Sequence, residues 1–416
     1  IITKIKKGNE PEQELTDLEE DEVADLMKGN SDDKIIVTVK TPGGTQKNIT
    51  LVKEKITADE GIVKSYVLQG RQKIGYIQLP GFYSREDEDI VAEDKIKYDG
   101  CANDMSKEIV KLKKDSIAGL ILDLRFNGGG SMWEAIQLAG IFIDMGPVCS
   151  VKNKDGKVHF LKDPNRGTIY DGPLLVLVNG SSASASELTG AVLQDYNRAL
   201  IVGSTTYGKG TAQSVFPMDT LLDITGKKKY DDYSDFVKVT GGKFYRIDGT
   251  TTQWKGVVPD IALPDIYQEV ESRESNNASA LLPDLSKKGI YQPLPLLPVA
   301  ALQNKSMARV KADSSFAAVI RFNNWIMQKK KSNDIPLQWL PYISQFKNAM
   351  HIYHSIDAAE DKFKNNISAA NNSFDAEKIN LTAEQGRILN QTHLTRIAAD
   401  KYVYEAYNIL QDWFNI

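Results

Sequence analysis

Three times in this chain a short apolar run stops at a turn rich in glycine, serine or lysine. Ala118 to Leu124 leads into Arg125-Phe126-Asn127-Gly128-Gly129-Gly130. Leu174 to Val178 leads into Asn179-Gly180-Ser181-Ser182, and Ala199 to Val202 into a stretch ending Tyr207-Gly208-Lys209-Gly210. After the first two turns a helical pattern begins at once: Met132, Ala135, Ile136 and Ala139 share one face, as do Ala185, Leu188 and Val192. Strands alternating with helices predict an α/β fold with a largely parallel sheet and flanking helices. In such sheets ligands bind off the C-terminal strand ends. The three turns therefore fall along one edge of one sheet, which limits both the fold and the place where chemistry can sit.

The spacing makes that edge specific. A helix over about 184–196 climbs about 1.5 Å per residue, roughly 18 Å in all. The strand after it returns about 3.3 Å per residue, so roughly six residues bring Lys209 back beside Ser184. A serine at a helix start facing a lysine is a nucleophile and base arrangement. Glycines let backbone N–H groups approach a ligand. Gly129 or Gly130, together with Ala185, would supply an oxyanion hole, and the helix N-terminus favours negative charge there. To act as a base Lys209 must be neutral, and burial favours that form. Gln213, four positions on, is placed to orient the amine.

Taken singly, each piece has a plainer reading: an N-cap serine, a flexible glycine turn, a solvated loop lysine. Only their joint placement separates the two views. Gly203-Ser204-Thr205-Thr206-Tyr207-Gly208-Lys209 also matches the first seven positions of a P-loop, but Gly210 stands where Ser or Thr should bind magnesium. The Thr211 to Phe216 segment reads as extended where a helix should follow. Ser31–Lys34 and Ser344–Lys347 have Ser-x-x-Lys spacing without companion motifs. The histidines are His159, His351, His354 and His393. With His159 alone in the α/β region, a Ser-His-Asp triad is hard to build, which favours lysine as base.

The sequence has 416 residues, enough for two or three domains. Its 51 Lys and Arg against 55 Asp and Glu give a net charge of −4, without the basic excess of a dedicated nucleic-acid binder. No apolar run is long enough for a transmembrane helix. Cys101 and Cys149 are too few for a disulfide scaffold or a four-cysteine zinc site, and unpaired burial is expected for both. Residues 1–56 read as a small β-rich unit with a helix over Leu15 to Met27. Strands at Lys34 to Thr41 and Asn48 to Val52 are joined by a Pro42-Gly43-Gly44 hairpin turn. Residues 57–268 form the α/β region. Residues 269–416 begin with a linker carrying Pro283, Pro293, Pro295 and Pro298 and continue as a helical domain. The abrupt strand-like opening, Ile1-Ile2-Thr3-Lys4-Ile5, suggests a start inside a domain.

Three segments together resemble one family. They are Leu122-Asp123-Leu124-Arg125-Phe126-Asn127-Gly128-Gly129-Gly130, Ser182-Ala183-Ser184-Ala185-Ser186-Glu187 and Gly208-Lys209-Gly210-Thr211-Ala212-Gln213. The family is the carboxyl-terminal processing peptidases, within them the bacterial tail-specific proteases. Gln194-Asp195-Tyr196, Lys243-Phe244-Tyr245-Arg246 and Lys255-Gly256-Val257-Val258-Pro259-Asp260 fit the same pattern. The likeness is strong over about 60–265. Pro293 to Val310 resembles the start of the tail-specific helical C-terminal domain.

The resemblance implies a serine endopeptidase acting on proteins at or near their C-termini. Ser184 would be the nucleophile and Lys209 the general base, at the family's spacing of 25 positions. Gln213 would hold the lysine, Asp195 would act through structure and Glu187 would support the site. No metal or organic cofactor is implied. Partners would be protein substrates with accessible C-termini and, in the cell, an adaptor lipoprotein, with no nucleic acid. The location would be the bacterial periplasm or cell envelope. Residues 1–56 resemble the second half of a PDZ domain, which captures peptide C-termini by strand addition. The competing reading is a non-catalytic peptide-binding adaptor.

Overall fold

A computed structural model describes the whole chain except residues 1, 9, 17, 42, 54–61, 85–99, 164, 219–234, 270–272, 333–334 and 383. Most of the polar stretch Tyr83 to Gly100 and the predicted turn residue Pro42 thus lie outside the described residues. The chain divides into two compact units, 1–62 and 63–416.

In the first unit, β1 (Ile2–Lys7), β2 (Gln13–Glu14), β3 (Lys34–Lys40) and β4 (Gln46–Val52) form an antiparallel sheet in the order β2-β1-β3-β4. The β3–β4 hairpin forms at the predicted turn, where Gly44 takes φ 83°, a conformation open to glycine. The helix α1 (Glu20–Leu26) is shorter than predicted. Leu15 lies before it as a core residue beside Ile5, Ile35 and Val37. Its apolar side chain suits a helix face and a loop plug equally, which is why the period misplaced the helix start.

The second unit is built on β5 (Lys64–Gln69), β6 (Ile74–Gln78), α2 (Cys101–Lys114), β7 (Gly119–Asp123), α3 (Met132–Gly140), β8 (Pro147–Asn153), β9 (Val158–Lys162), β10 (Leu174–Val178), α4 (Ala185–Asp195), β11 (Leu200–Gly203), β12 (Thr211–Pro217), β13 (Phe236–Tyr245) and β14 (Ile261–Ala262). The C-terminal part follows with α5 (Val299–Ala312), α6 (Ser314–Ser332), α7 (Trp339–Glu360), β15 (Ser368–Asn371), α8 (Ser373–Asn380), α9 (Glu384–Ala399) and α10 (Lys401–Trp413). The main sheet has the order β14-β11-β10-β7-β6-β5-β15. Strands β6, β7, β10, β11 and β14 are parallel, as predicted, and β5 and β15 add antiparallel edges. A second, antiparallel sheet, β12-β13-β8-β9, was not foreseen.

The architecture follows from how β10 is buried. Every one of its five residues is buried, so both sheet faces need a cover. Leu174, Val176 and Val178 face one core with Leu120, Leu122 and Ile201, under α2, α3 and α4. Leu175 and Leu177 face the other with Ile121, Leu200 and Val202. That second cover comes from Leu302 of α5, Phe316 of α6, Leu394 and Ile397 of α9, and Val403, Ala406, Tyr407, Ile409 and Leu410 of α10.

The expected boundary near 268 therefore does not divide the unit. The C-terminal helices are the second layer of the sheet, and β15 extends that sheet next to β5. The proline-rich zone ends at α5, which starts at Val299 immediately after Pro298. Among the described residues no helix is long and apolar enough to cross a membrane.

One layered core predicts one melting transition for 63–416. Leu410, fully buried, is expected to cost about 2–5 kcal/mol when replaced by alanine. In Leu410→Ala, amide exchange in β10 and in α10 is expected to accelerate together. Loss of protection confined to the C-terminal helices would show two independent domains instead.

Candidate active site

The three turns sit at the C-terminal ends of β7, β10 and β11, as the sequence pattern requires. Each is fixed by buried polar contacts. Asn127, fully buried, donates from its side chain to the Leu79 carbonyl at 2.9 Å, and its own carbonyl accepts from Ala183 N–H at 3.0 Å and Ser186 Oγ at 2.8 Å. Ser182 Oγ donates to the Leu124 carbonyl at 2.8 Å, and Asn179 Oδ1 accepts from Phe126 N–H at 3.0 Å. The serines at 182 and 186 thus stitch the second turn to the first.

Arg125 anchors the glycine turn from below. Its guanidinium binds Asp123 at 2.6 Å and Asp400 at 2.9 Å, and Tyr76 donates to the same Asp123 carboxylate at 2.8 Å. Asp400 caps α10 through Tyr402 N–H at 2.8 Å and Val403 N–H at 3.2 Å. Burial pushes the Asp400 carboxyl up, but the Arg125 charge and the hydrogen bonds from Arg125, Val403 and Tyr402 together outweigh it, and the net direction is down.

Ser184 is the N-cap of α4 with φ 57° and ψ −112°, a sparsely populated conformation for a non-glycine residue. Its surroundings hold it there. A fully buried Glu187 accepts Ser184 N–H at 2.8 Å on Oε2, and the same oxygen accepts Lys209 N–H at 2.8 Å. The other oxygen accepts Gly208 N–H at 2.7 Å and Thr206 Oγ1 at 2.6 Å. One carboxylate therefore clamps the backbones of both predicted catalytic residues. Burial pushes its pKa up to about 7, while the four donors pull it down. The folded value lies above the ordinary 4.5. This group's contribution to stability is therefore complete below about 4.5 and is lost as pH rises through about 7. The ionised form, which all four donors prefer, gains population over the same window.

Lys209 is half-buried because the segment around Trp254 runs over its loop. Trp254 N–H donates to the Gly208 carbonyl at 2.8 Å, and Gln253 Oε1 accepts Gly210 N–H at 2.7 Å. A Cβ at Gly210 would lie 2.6 Å from Gln253 N. The two glycines therefore have a close-packing reason, and Lys209 is not a freely solvated loop lysine. Among the described residues its ammonium makes no hydrogen bond or ion pair. Its pKa is lowered, first by burial and then by the Lys238 charge, against the opposing pull of Glu274 and Glu187. A cleft of about 400 Å³ brings the set together: Ser184, Lys209, Gly130, Ala185, Gln213 and Lys238 all line it. Met132, Leu188 and Phe244 give it apolar walls.

Two of the predicted roles need correction. The Gly129 N–H is donated to Asn127 Oδ1 at 2.9 Å, so it is spent within the turn. Gly129, at φ 101°, serves instead as packing surface: a Cβ there would lie 2.8 Å from Ser184 Cβ. The N–H groups of Gly130 and Ala185 have no partner among the described residues and remain free to donate into the cleft. Gln213 lines the cleft and its amide donates to Thr240 Oγ1 at 3.4 Å, the residue it faces across the β12–β13 register shift, and it makes no hydrogen bond to the lysine.

Asp195 is bound to Arg246 at 2.5 Å. It sits at the far end of α4, roughly 16 Å along the axis from Ser184, outside the cleft. Cys101 and Cys149 are both buried and unpaired. The P-loop look-alike makes no phosphate cradle. Four of its N–H groups are used internally: Ser204 to the Val178 carbonyl, Thr206 to Val257, Tyr207 to Ser182 and Gly208 to Glu187.

The buried residues that sequence reasoning missed are Asn127, Asn179, Ser182, Ser186 and Thr206. An asparagine two positions before a second glycine is an Asx-turn signal, and it was readable at Asn127.

Comparison with known proteins gives the lineage. Residues 73–263 match the family model described as Peptidase family S41, and this segment contains every residue of the cleft. This α/β segment belongs to peptidase family S41. Residues 267–415 match the C-terminal domain of tail specific protease. The chain is 32% identical over 308 residues to the tail-specific protease of Haemophilus influenzae, covering 72% of this chain and 41% of that protein. It is 30% identical over 252 residues to a carboxy-terminal-processing protease of Bartonella bacilliformis, covering 59% and 52%. Among solved structures it is similar to a photosystem II D1 C-terminal processing protease, with 26% identity, 58% of each chain covered and a TM-score of 0.40. The chain thus spans about half or less of the curated relatives' length.

The Glu187 clamp can be tested directly. Glu187→Gln turns an NH2 toward two backbone or hydroxyl donors, and each lost buried bond costs about 1–3 kcal/mol. A lower melting temperature and at least a tenfold loss of turnover are expected from thermal melts and peptide hydrolysis. Full activity with an unchanged melt would remove the clamp from the argument.

Proposed function

We propose that this chain carries the catalytic centre of a serine endopeptidase that processes or degrades proteins from or near their C-termini, with Ser184 and Lys209 as its dyad. The observation that carries the reading is Glu187, whose one oxygen holds the backbone N–H of both residues at the mouth of one cleft.

Ser184 Oγ attacks the scissile carbonyl carbon while its proton passes to neutral Lys209 Nζ. The tetrahedral oxyanion accepts from Gly130 and Ala185 N–H, near the positive end of α4. On collapse the C–N bond breaks, and the leaving amine takes the proton from the Lys209 ammonium. Water then attacks the Ser184 ester with Lys209 again as base, releasing the acid and restoring the hydroxyl. The lowered pKa of Lys209 supports this role, since the base must be neutral to start.

Residues 1–62, with four antiparallel strands and one helix, support the partial PDZ reading, in which an extended peptide adds as a strand. The substrates of this reading are proteins with accessible C-termini, in the bacterial periplasm or envelope, with an adaptor lipoprotein as a possible partner class. A peptide-binding adaptor without catalysis is the second reading, favoured by that same strand-rich unit.

Hydrolysis of an unfolded protein by wild type, Ser184→Ala and Lys209→Ala separates them. Ser184→Ala is expected to fall to background and Lys209→Ala by about a hundred- to ten-thousand-fold. Activity should rise with pH as Lys209 loses its proton. Equal activity in all three would sink the dyad, and substrate binding without hydrolysis in all three would favour the adaptor.

A further inference from the structure

A second lysine lines the cleft, and the dyad reading gives it no role. Lys238 lies on β13, paired in register with Val215 of β12, the strand that leaves the Lys209 loop. Among the described residues, the side chains lining the cleft include no aspartate or glutamate, and its cations are Lys209 and Lys238. The backbone at Lys209 and Gly210 is held by Glu187 and Gln253, which fixes the point from which the Lys209 side chain enters the cleft.

We propose, building on the dyad reading, that Lys238 is a positioning residue that poises Lys209 as a base by placing a like charge across the cleft.

The physical case rests on what surrounds Lys209. From α4 comes Glu187, already committed to four donors. From the turn after 273 comes Glu274, whose Oε1 accepts from Gln253 Nε2 at 3.0 Å. From β13 comes Lys238. The two carboxylates favour the ammonium, while burial and Lys238 favour the free amine. An amine half in contact with solvent is only partly desolvated, so burial supplies part of the downward shift and Lys238 adds to it. A neighbouring cation is a known physical means of completing the shift. It is also the adjustable one, because salt and substitution change a partly solvated charge without disturbing the core. The exposure of Lys238 fits a group that acts through its field while making no hydrogen bond to the base.

The test follows Lys209 itself. In lysine-labelled full chain, the Lys209 Cε signal, assigned by its loss in Lys209→Ala, is titrated by NMR and compared with the acid limb of kcat/KM for a fixed peptide. Each variant's limb is read against its own high-pH plateau. Lys238→Gln is expected to move both midpoints to higher pH, so that rates on the acid limb fall about threefold relative to plateau. Lys238→Arg keeps the charge and should keep the midpoints. Glu274→Gln removes an opposing charge and should move them to lower pH. In wild type, raising salt should move the midpoints up, with a smaller movement in Lys238→Gln.

Coincident Lys209 titrations in wild type and Lys238→Gln would overturn the proposal. So would an equal salt response in wild type and Lys238→Gln or, if Lys238→Gln misfolds, the absence of any upward salt shift in both wild type and Lys238→Arg. Failure of the dyad reading looks different: Lys209→Ala would retain activity whatever Lys238 does.

Discussion

A single buried carboxylate, Glu187, underlies the whole site. Taking an ion out of water is costly, and it is tolerated only where hydrogen bonds replace the lost hydration. Glu187 meets that condition with four donors drawn from three places: the start of α4, the threonine after β11 and the Gly208–Lys209 backbone. Because the requirement is strict, the geometry is strict too. The carboxylate cannot be satisfied unless the β11 loop lies against the helix start, and that contact brings serine and lysine to one cleft. Ser184's strained backbone is then sustained by its surroundings, since relaxing it would withdraw a donor from a buried charge.

The layering of the sheet supports this clamp at longer range. A strand apolar at every position cannot face water on either side, so β10 requires two covers. Helix α4 belongs to one cover, and its burial fixes the axis along which Ser184 points. The C-terminal helices form the other. The site therefore depends on residues distant in sequence that never approach the cleft.

Much of this was legible in the sequence because it is local. Apolar runs ending in glycine or serine turns located β7, β10 and β11, and the fixed rise of helix and strand placed Ser184 near Lys209. What escaped is what depends on pairing partners. Strands β8, β9 and β13 belong to a sheet whose burial does not alternate cleanly: β8 is buried over its first four residues and β13 is exposed over its first six. Strand β15, Ser368-Ala369-Ala370-Asn371, has no strand-like composition and is defined by the β5 edge it completes. Gly129 and Gly130 look equivalent as letters, yet the Asn127 side chain consumes one N–H and leaves the other. Gln213 was placed by spacing along the chain, which does not show that its side chain turns to Thr240 on the neighbouring strand. Glu187 was readable as a nearby acid, but its part in holding the backbones of Ser184 and Lys209 required coordinates.

The pair formed by Arg125 and Asp400 spans 275 positions of sequence, and that span has a temporal meaning. A chain emerging from the ribosome presents its serine and lysine well before residue 400 exists. Until then the arginine beneath the glycine turn lacks one of its two carboxylates, and the back of β10 lacks its cover. Completion of the cleft is thereby tied to late synthesis. The growing polypeptide passes its unfolded stage before Ser184 and Lys209 are held in their final register.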